Sequence, residues 1–478
     1  MRDTHEGERI IKGKSEVYLP MTSGQRQDGV NTGQTGRLAY DSYKDRSSFP
    51  DLVRSAVEAM VGVMHHKPPV IQLPASMEPM LNMATLQGES LFMLLRRINE
   101  QQLISGRIGL LLDVPDGAVI GTKPYIASYV AESILNWDDG RRGEPVAQNL
   151  NFVSLNESEN VRLPDFEWEF KNKFRVLILG DPEDNEAKGA GVYRVGLFDE
   201  TGTTFNESSL ITPSIGGRTL DKIPFVFINS KDIVPEPDAP PLLGLAQLAL
   251  TIYRGEADYR QALFMQGQDT LVVVGSSEDA FRTGANASIS LPIGGSAEFI
   301  GVDSSGLAEM REALQNDKAQ GNQHGGQLLD SVSRAKESGD ALKIRVAART
   351  ATLNQIALSG AFGLEMILKM AAEWTGANPE EVIVTPNLDF ADDELSGRTL
   401  VEYMTAKSLG APLSLKSIHL MMQERDLTQM EFDEEIAEIE AEKLLLEDAL
   451  GNEDEGPVED EDEEEEPLNP VDQGDGVA

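Results

Sequence analysis

Residues 339–376, GDALKIRVAARTATLNQIALSGAFGLEMILKMAAEWTG, hold no proline. Leu342, Val346, Leu353, Ile356, Leu364, Ile367, Leu368, Ala371 and Trp374 recur at three- and four-residue steps, the spacing of one helical stripe. About 36 helical positions at about 1.5 Å each give a rod of about 54 Å, long enough to cross a whole domain. Ser359-Gly360 in its middle predicts a kink, because glycine loosens the backbone and serine can bond back to the previous turn. The segment before it, residues 321–338 (GNQHGGQLLDSVSRAKES), is polar and glycine-rich and reads as a loop. Two readings follow: a buried core helix behind a surface loop, or a channel-facing, moving part.

Working outward, residues 392–409, 414–425 and 428–449 read as three helices after a strand at EVIVTPNLDF. Gly410-Ala411-Pro412 stops the first of them, and Thr428-x-x-Glu431 has the form of a capping box for the last. The tail from Gly451 is Asp/Glu-rich and low in complexity, a composition expected to be disordered. Upstream, a helix from Leu242 to about Gln268 precedes a small β insertion of TLVVVG (270–275), SISLPI (288–293) and AEFIGV (297–302). A short helix carrying Leu307, Met310 and Leu314 follows. VPEPDAPP at 234–241 is a proline-rich boundary.

Before that boundary, Ser48-Phe49-Pro50-Asp51 resembles a capping box for a helix bearing Val53, Ala56, Val57 and Met60, and a second helix is predicted from Glu78 to Ser105. Strands are predicted at 107–114, 124–130, 152–156, 173–180, 191–199 and 223–230. Residues 48–230 therefore read as an α+β domain with helices first and a largely antiparallel sheet after. Residues 1–47 read as a polar arm anchored at YLPM.

The chain has 478 residues, no cysteine and a formal net charge of −39. Cysteine nucleophiles, disulfides and thiolate metal sites are excluded together. From Asp433 to Ala478 there are 21 acidic residues against Lys443 alone, so about half of the net charge sits there. The remainder is acidic too, and a protein that grips nucleic acid by counterion release needs a basic face. The amino terminus lacks an apolar signal core, and the longest strongly apolar run, PPLLGLAQLALTIY, is short of the roughly 20 residues that span a bilayer. A soluble protein is expected.

Enzyme signatures are weak. Gly13-Lys14-Ser15 lacks the upstream glycine and strand of a P-loop, and Ser333-x-x-Lys336 lacks the companion motifs of serine acyl enzymes. His65-His66 sit adjacent, so on a helix they point about 100° apart and are poor partners for one metal. Asp392-Asp393-Glu394 could hold a cation or serve a carboxylate hydrolase, but the helix macrodipole alone explains acids there. No catalytic, cofactor or metal residues are expected.

The order of parts resembles the portal proteins of tailed bacteriophages. The resemblance is carried by YLP at 18–20, Tyr40-x-x-Tyr43-Lys44-x-Arg46-Ser47-x-Phe49, HHKPP at 65–69, Ser338-Gly339-Asp340-Ala341-Leu342-Lys343 and GAPLSLKS at 410–417. It implies an α+β portal-like subunit: a wing of residues 1–238 with an arm at 1–47, a first stem helix at 239–268 and a clip at 269–303. A second stem helix follows at 304–320, a tunnel loop at 321–338, a long helix and wing strand at 339–391, and a crown at 392–450. The tail, 451–478, stands outside these parts.

On this resemblance the protein would form a homo-oligomeric ring, usually of twelve, at one capsid vertex of the virion, assembled in host cytoplasm. Its partners would be the terminase large subunit, a head-completion or tail adaptor protein, and major capsid and scaffold proteins. Double-stranded DNA would pass through without sequence specificity, and no membrane or cofactor is involved. Gln323, His324, Gln327, Ser331, Arg334 and Lys336 become the tunnel-loop candidates. Lys343, Arg345 and Arg349 would either touch DNA or pair with acids of a neighbouring subunit. An acidic channel suits passage, since each tight phosphate contact adds drag. The competing reading within the same particle is another capsid-vertex or head-morphogenesis protein without a channel.

Overall fold

The computed structural model describes residues 1–26, 35–115, 122–138, 150–179, 191–199, 210–267, 270–275, 291–300, 306–326, 339–388, 390, 397–423 and 427–450. The amino-terminal arm is more ordered than its polar composition predicts. It forms helices α1 (Arg2–Glu6), α2 (Glu8–Gly13) and α3 (Thr35–Arg46). Gly7, between the first two, has φ 88°, and a Cβ there would stand 2.7 Å from an Asp51 carboxylate oxygen. Helix α4 (Leu52–Met64) starts later than the Ser48 box implies: Asp51 is its N-cap residue. Residues 48–50 stay non-helical because Phe49 turns into the core, edge-on to Tyr253 at 5.8 Å.

The helix expected from Glu78 to Ser105 is two pieces. A 3₁₀ turn covers Glu78–Leu81, and α5 runs Leu91–Ser105. Between them the chain turns at Gly88, φ 77°, and Ala84 bonds both ways, donating to Glu89 O and accepting from Ile126 N at 2.8 Å. Ser90 then caps α5 by accepting from Met93 N. At the other end Gly106, φ 76°, lets the backbone pass close to Asp238, whose carbonyl a Cβ would meet at 2.7 Å.

The sheet region is mixed α+β, with strands paired antiparallel as expected, in separate sheets. Strand β1 (Val70–Gln72), which the sequence patterning missed, is described with its partner below. Strand β2 (Arg107–Asp113) is buried at every position and lies between β10 (Phe225–Asn229) and β3 (Tyr125–Val130). Leu110 is opposite Val226 on one side and Ser128 on the other. Continuous apolar runs in β2 and β10 reflect burial on both faces.

A second sheet has the order β4 (Ile134–Asp138), β5 (Phe152–Asn156), β8 (Lys173–Leu179), β9 (Tyr193–Asp199). Strand β4 was not predicted; a register shift between Ile134 and Asn136 disturbs its alternation. Arg175 of β8 ties the two sheets, bonding Asp113 Oδ2 at 2.7 Å and Glu157 Oε1 at 2.6 Å. Tyr125 and Tyr129 donate to the same two carboxylates at 2.9 and 2.5 Å. Also unpredicted are β6 (Glu159–Arg162) and β7 (Trp168–Lys171), a hairpin that pairs with no third strand among the described residues.

After the proline-rich stop come α6 (Leu243–Gln266), strands β11 (Thr270–Val274) and β12 (Ser296–Ile300), α7 (Leu307–Gly326) and α8 (Gly339–Thr375). The strand expected at 288–293 is not formed at 291–293, and its first residues lie outside those described. Helix α8 is 37 residues long and packs on β2, β10 and α5. Leu364, Ile367, Leu368, Ala371 and Trp374 of its predicted stripe are fully buried, so this half is the core helix of the sheet region.

At Ser359 and Gly360, where a kink is expected, both residues serve the packing of α8 against its neighbours. The helix runs through both without a break. Ser359 Oγ does not bond back along its own helix: it reaches Asn229 O at 2.8 Å and Asp232 O at 3.0 Å. Gly360 lets α5 approach, since a Cβ there would lie 2.5 Å from Asn99 Nδ2 and 3.0 Å from Gln102 Oε1. Residues 351–375 also exceed the apolar run singled out at 240–253. This 25-residue segment is long and apolar enough to cross a membrane, but it is largely buried in protein. Its end is a Schellman turn at Gly376, φ 79°, where Ala377 N–H donates to Ala372 O at 2.8 Å and Gly376 N–H to Glu373 O. Strand β13 (Ile383–Thr385) pairs antiparallel with β1, Ile71 opposite Val384.

Residues 391–478 form a second unit. Its described helices are α9 (Gly397–Ser408), α10 (Leu415–Gln423) and α11 (Phe432–Leu450). Gly410, φ 97°, ends α9 as predicted, with Ala411 N–H donating to Ala406 O at 3.0 Å. The Thr428 box is displaced by a turn: α11 begins at Phe432, and Thr428 Oγ1 donates to Glu435 at 2.6 Å. His419 of α10 packs edge-on to Phe432 at 5.4 Å.

Candidate functional site: a helix pair closed by two strands

Helices α6 and α7 run antiparallel. Gly255 lies against Leu314, Glu256 against Lys318, and Ile252 and Leu248 near Gly321, so the numbering falls along one helix as it rises along the other. Glycine keeps the approach close. A Cβ at Gly255 would be 3.0 Å from Leu314 Cδ2, and one at Gly321 would be 3.7 Å from Ile252 Cδ1 of α6 and 2.7 Å from Leu52 Cδ1 of α4.

Buried Glu256 links the pair electrostatically. Arg260 Nε donates to Oε1 at 2.6 Å and Lys318 Nζ to Oε2 at 3.0 Å. Burial alone raises this carboxyl, but the bonds from Lys318 and Arg260 outweigh it and hold the group below its ordinary pKa. Both carboxylate oxygens are satisfied by opposite charge, which is what a buried acid needs.

The arm covers the other face of α6. Ile11, Leu19, Tyr40, Tyr43 and Phe49 form a core with Ala249, Tyr253 and Ala257. Tyr43 OH donates to Asp258 Oδ1 at 2.5 Å, Arg46 donates to Gln261, and the Arg46 guanidinium lies 3.9 Å from the Phe264 ring centroid. Burial pushes the Tyr43 hydroxyl upward, reinforced by its bond to Asp258.

Beyond this covered stretch the apolar side chains are exposed. Leu263, Phe264 and Met265 end α6; Val272 and Val274 follow on β11, then Ile293, Phe299 and Ile300. Strands β11 and β12 pair in simple antiparallel register, Val272 opposite Glu298. These exposed aliphatic and aromatic residues lie over one helix end and two strands, more than scattered single exposures would give.

The residues singled out from the sequence fall in three groups. Gln323 and His324 stand in the last turns of α7, not in the loop expected from 321, because the helix continues to Gly326. Gln327, Ser331, Arg334 and Lys336, like Asp392, Asp393 and Glu394, lie outside the described residues. Lys343, Arg345 and Arg349 lie in the first turns of α8.

The weak enzyme signals have ordinary explanations. Lys14 pairs with Asp3 at 2.5 Å and Ser15 Oγ donates to Lys12 O. His65 is held by Asn99 at 2.8 Å and its pKa is lowered by burial, whereas His66 bonds Val63 O at 3.1 Å. Among the described residues no group of three or more His, Asp or Glu could hold a metal. The buried Glu256 link was missed by sequence reasoning. An acid four residues before an arginine was the available signal, but its cross-helix partner, Lys318, is 62 positions away.

The profile of a family described as a domain of unknown function, DUF4055, matches residues 241–375, the stretch from the start of α6 to the end of α8. No curated protein matches the chain. Among solved structures, the chain is similar to one from the neck of an empty gene transfer agent particle computed with C6 symmetry. That match has 14% identity and a TM-score of 0.37, and covers 80% of this chain and 90% of the other. A chain from the neck of a native particle computed with C12 symmetry gives 13%, 0.36, 80% and 90%. One from the virion of the native particle gives 13%, 0.36, 78% and 89%.

Proposed function

We propose that this chain is a portal-type subunit: a protein that assembles into a ring at one capsid vertex and forms the passage for DNA during packaging and ejection. Support comes from the chain's own parts. The observation that carries the reading is the antiparallel pair α6–α7, closed by β11 and β12, with its exposed apolar end and a 37-residue helix following. A single chain leaves that end uncovered; neighbours in a ring would cover it through heterologous contacts.

In this reading the sheet region, residues 1–238 with β13, is the wing, α6 and α7 are the stem, and β11–β12 the clip. The start of α8 faces the passage, and α9–α11 are the crown. The net charge of −39 keeps DNA contacts weak, which suits sliding. Terminase, tail adaptor and capsid proteins dock on the ring, and the chain itself carries out no catalysis. Purified full-length protein viewed by negative-stain microscopy tests this. Rings with a central hole are expected; a homogeneous monomer at all concentrations overturns the reading.

A further inference from the structure

The β6–β7 hairpin is the part of the chain least explained by its own packing. Every residue of β7 is exposed, and Phe166, Trp168 and Phe170 are 73%, 67% and 62% exposed. In register Arg162 is opposite Trp168 and Asn160 opposite Phe170, so Trp168 and Phe170 share one face of the ribbon, and Phe166, in the turn before β7, lies against Arg162 of that face. Phe166 also sits at φ 71°, a left-handed conformation that costs a non-glycine residue about 1–2 kcal/mol. Glycine would serve this turn better, so the ring itself is what the position retains. Arg162 covers it, 4.5 Å from the ring centroid to the guanidinium carbon. An isolated two-stranded ribbon is marginal in water, and this one has no third strand among the described residues.

We propose that the hairpin joins the same hairpin of a second copy, β7 of one subunit adding edge-on to β6 of the next. The identity of the neighbour rests on the ring reading; the fit rests on the strand chemistry. Leu163 N–H donates to Glu167 O within the hairpin at 2.8 Å. Antiparallel alternation then makes 161–169 and 159–171 the inwardly bonded pairs. The N–H and C=O groups of Asn160, Arg162, Trp168 and Phe170 are left aimed at the two free edges.

If β7 meets a neighbouring β6 in the register used inside the hairpin, these four supply the intermolecular bonds, Trp168 to Arg162 and Phe170 to Asn160. The side chains match as well. Lys171 comes opposite Glu159, and Arg162 comes beside the Trp168 ring, pairings favourable across strands. Strand directions also continue, because each β6 lies antiparallel to the β7 on either side. Repeated around a ring, the contact is head-to-tail and leaves no free edge, with the aromatic side chains forming one belt.

The absence of cysteine allows a direct test. Bonded antiparallel partners have Cα atoms about 5.5 Å apart, inside the range a disulfide spans. Asn160→Cys and Phe170→Cys are made as separate full-length variants, co-expressed one to one, oxidised mildly and run on non-reducing gels beside negative-stain grids. Disulfide-linked dimers are expected from the mixture, up to about half of the chains in random co-assembly, and none from either variant alone. Rings without linked dimers overturn the hairpin contact and leave the ring reading standing. Neither rings nor dimers, where the parent protein on the same grids also forms no rings, overturns both; dimers without rings in either sample support edge addition while removing the ring. Equal linkage within one variant alone shows a two-fold contact and overturns the head-to-tail register. Circular dichroism of each variant confirms that the fold is retained.

Discussion

Strands β2 and β7 are both short parts of antiparallel pairs, yet β2 is buried at every residue and β7 at none. In β2, Ile108, Leu110, Leu111 and Leu112 are packed by other parts of the same chain: the strands beside it, α5 and α8. In β7, Trp168 and Phe170 are largely exposed, and among the described residues no third strand pairs with the hairpin. The chain's own packing therefore accounts for the first strand far more fully than for the second. The contrast separates two kinds of substitution, those that unfold the subunit and those that leave the subunit folded and unassembled.

The largest effect belongs to the buried side. Trp374, at the end of α8, is fully enclosed and donates its indole N–H to Arg218 O at 3.0 Å. Trp374→Ala removes a large packed volume and leaves that carbonyl unpaired, a loss of about 3–5 kcal/mol. Urea unfolding should show a lowered midpoint. Gly363→Ala follows. Its Cβ would lie 2.4 Å from Ile228 Cγ1 and 2.5 Å from Cδ1, where α8 meets β10, and the overpacking should cost about 1–3 kcal/mol. A thermal midpoint unchanged in Gly363→Ala would show that the helix is not seated this closely.

How much of this was legible in the sequence divides along the same line. Helix α8 and strands β2 and β10 could be read because burial imposes a period or an unbroken apolar run, whereas between α6 and α7 three strands were expected and two are described. Strands β6 and β7 could not. ENVR is polar, and WEFK alternates without a buried face, so neither resembles a strand of a core. The short helices of the arm were missed for a related reason: α1 has one buried residue, Thr4, and α2 has one, Ile11, too few to make a stripe. Ser359 and Gly360 could be singled out in the sequence, but their packing partners could not. A pair that loosens an isolated helix also fits a close crossing, and Asn99 and Asn229, which they meet, are far away in the sequence.

Glu256 lies between the extremes, a buried group whose partners are half exposed. Glu256→Gln removes the charge that Arg260 and Lys318 surround, and should cost about 1 kcal/mol, discounted for solvent around those two. The pH dependence has a definite sign. Because the folded carboxyl titrates below its ordinary value, its contribution is present above the usual carboxylate range and is lost as pH falls through that range towards the folded pKa. Stability measured from pH 6 down to about pH 3 should therefore fall less steeply in Glu256→Gln than in the parent. Parallel curves would remove Glu256 from the account of how α6 and α7 hold together.

The smallest effect on the isolated subunit is also the one that most sharply divides the two strands. Phe166→Gly relieves the left-handed strain at φ 71° and should leave the subunit equally stable or better by up to about 1 kcal/mol. It also removes one end of the aromatic face. Trp168→Ser and Phe170→Ser, at exposed positions, should each shift monomer stability by no more than about 0.5 kcal/mol. If β7 is completed by a neighbour, all three variants remain folded by circular dichroism while the ring population falls, most in the Trp168→Ser, Phe170→Ser double variant. Reduced monomer stability with ring assembly intact would mean that the aromatic residues serve the hairpin itself, and β7 would then belong with β2 as a strand that its own chain explains.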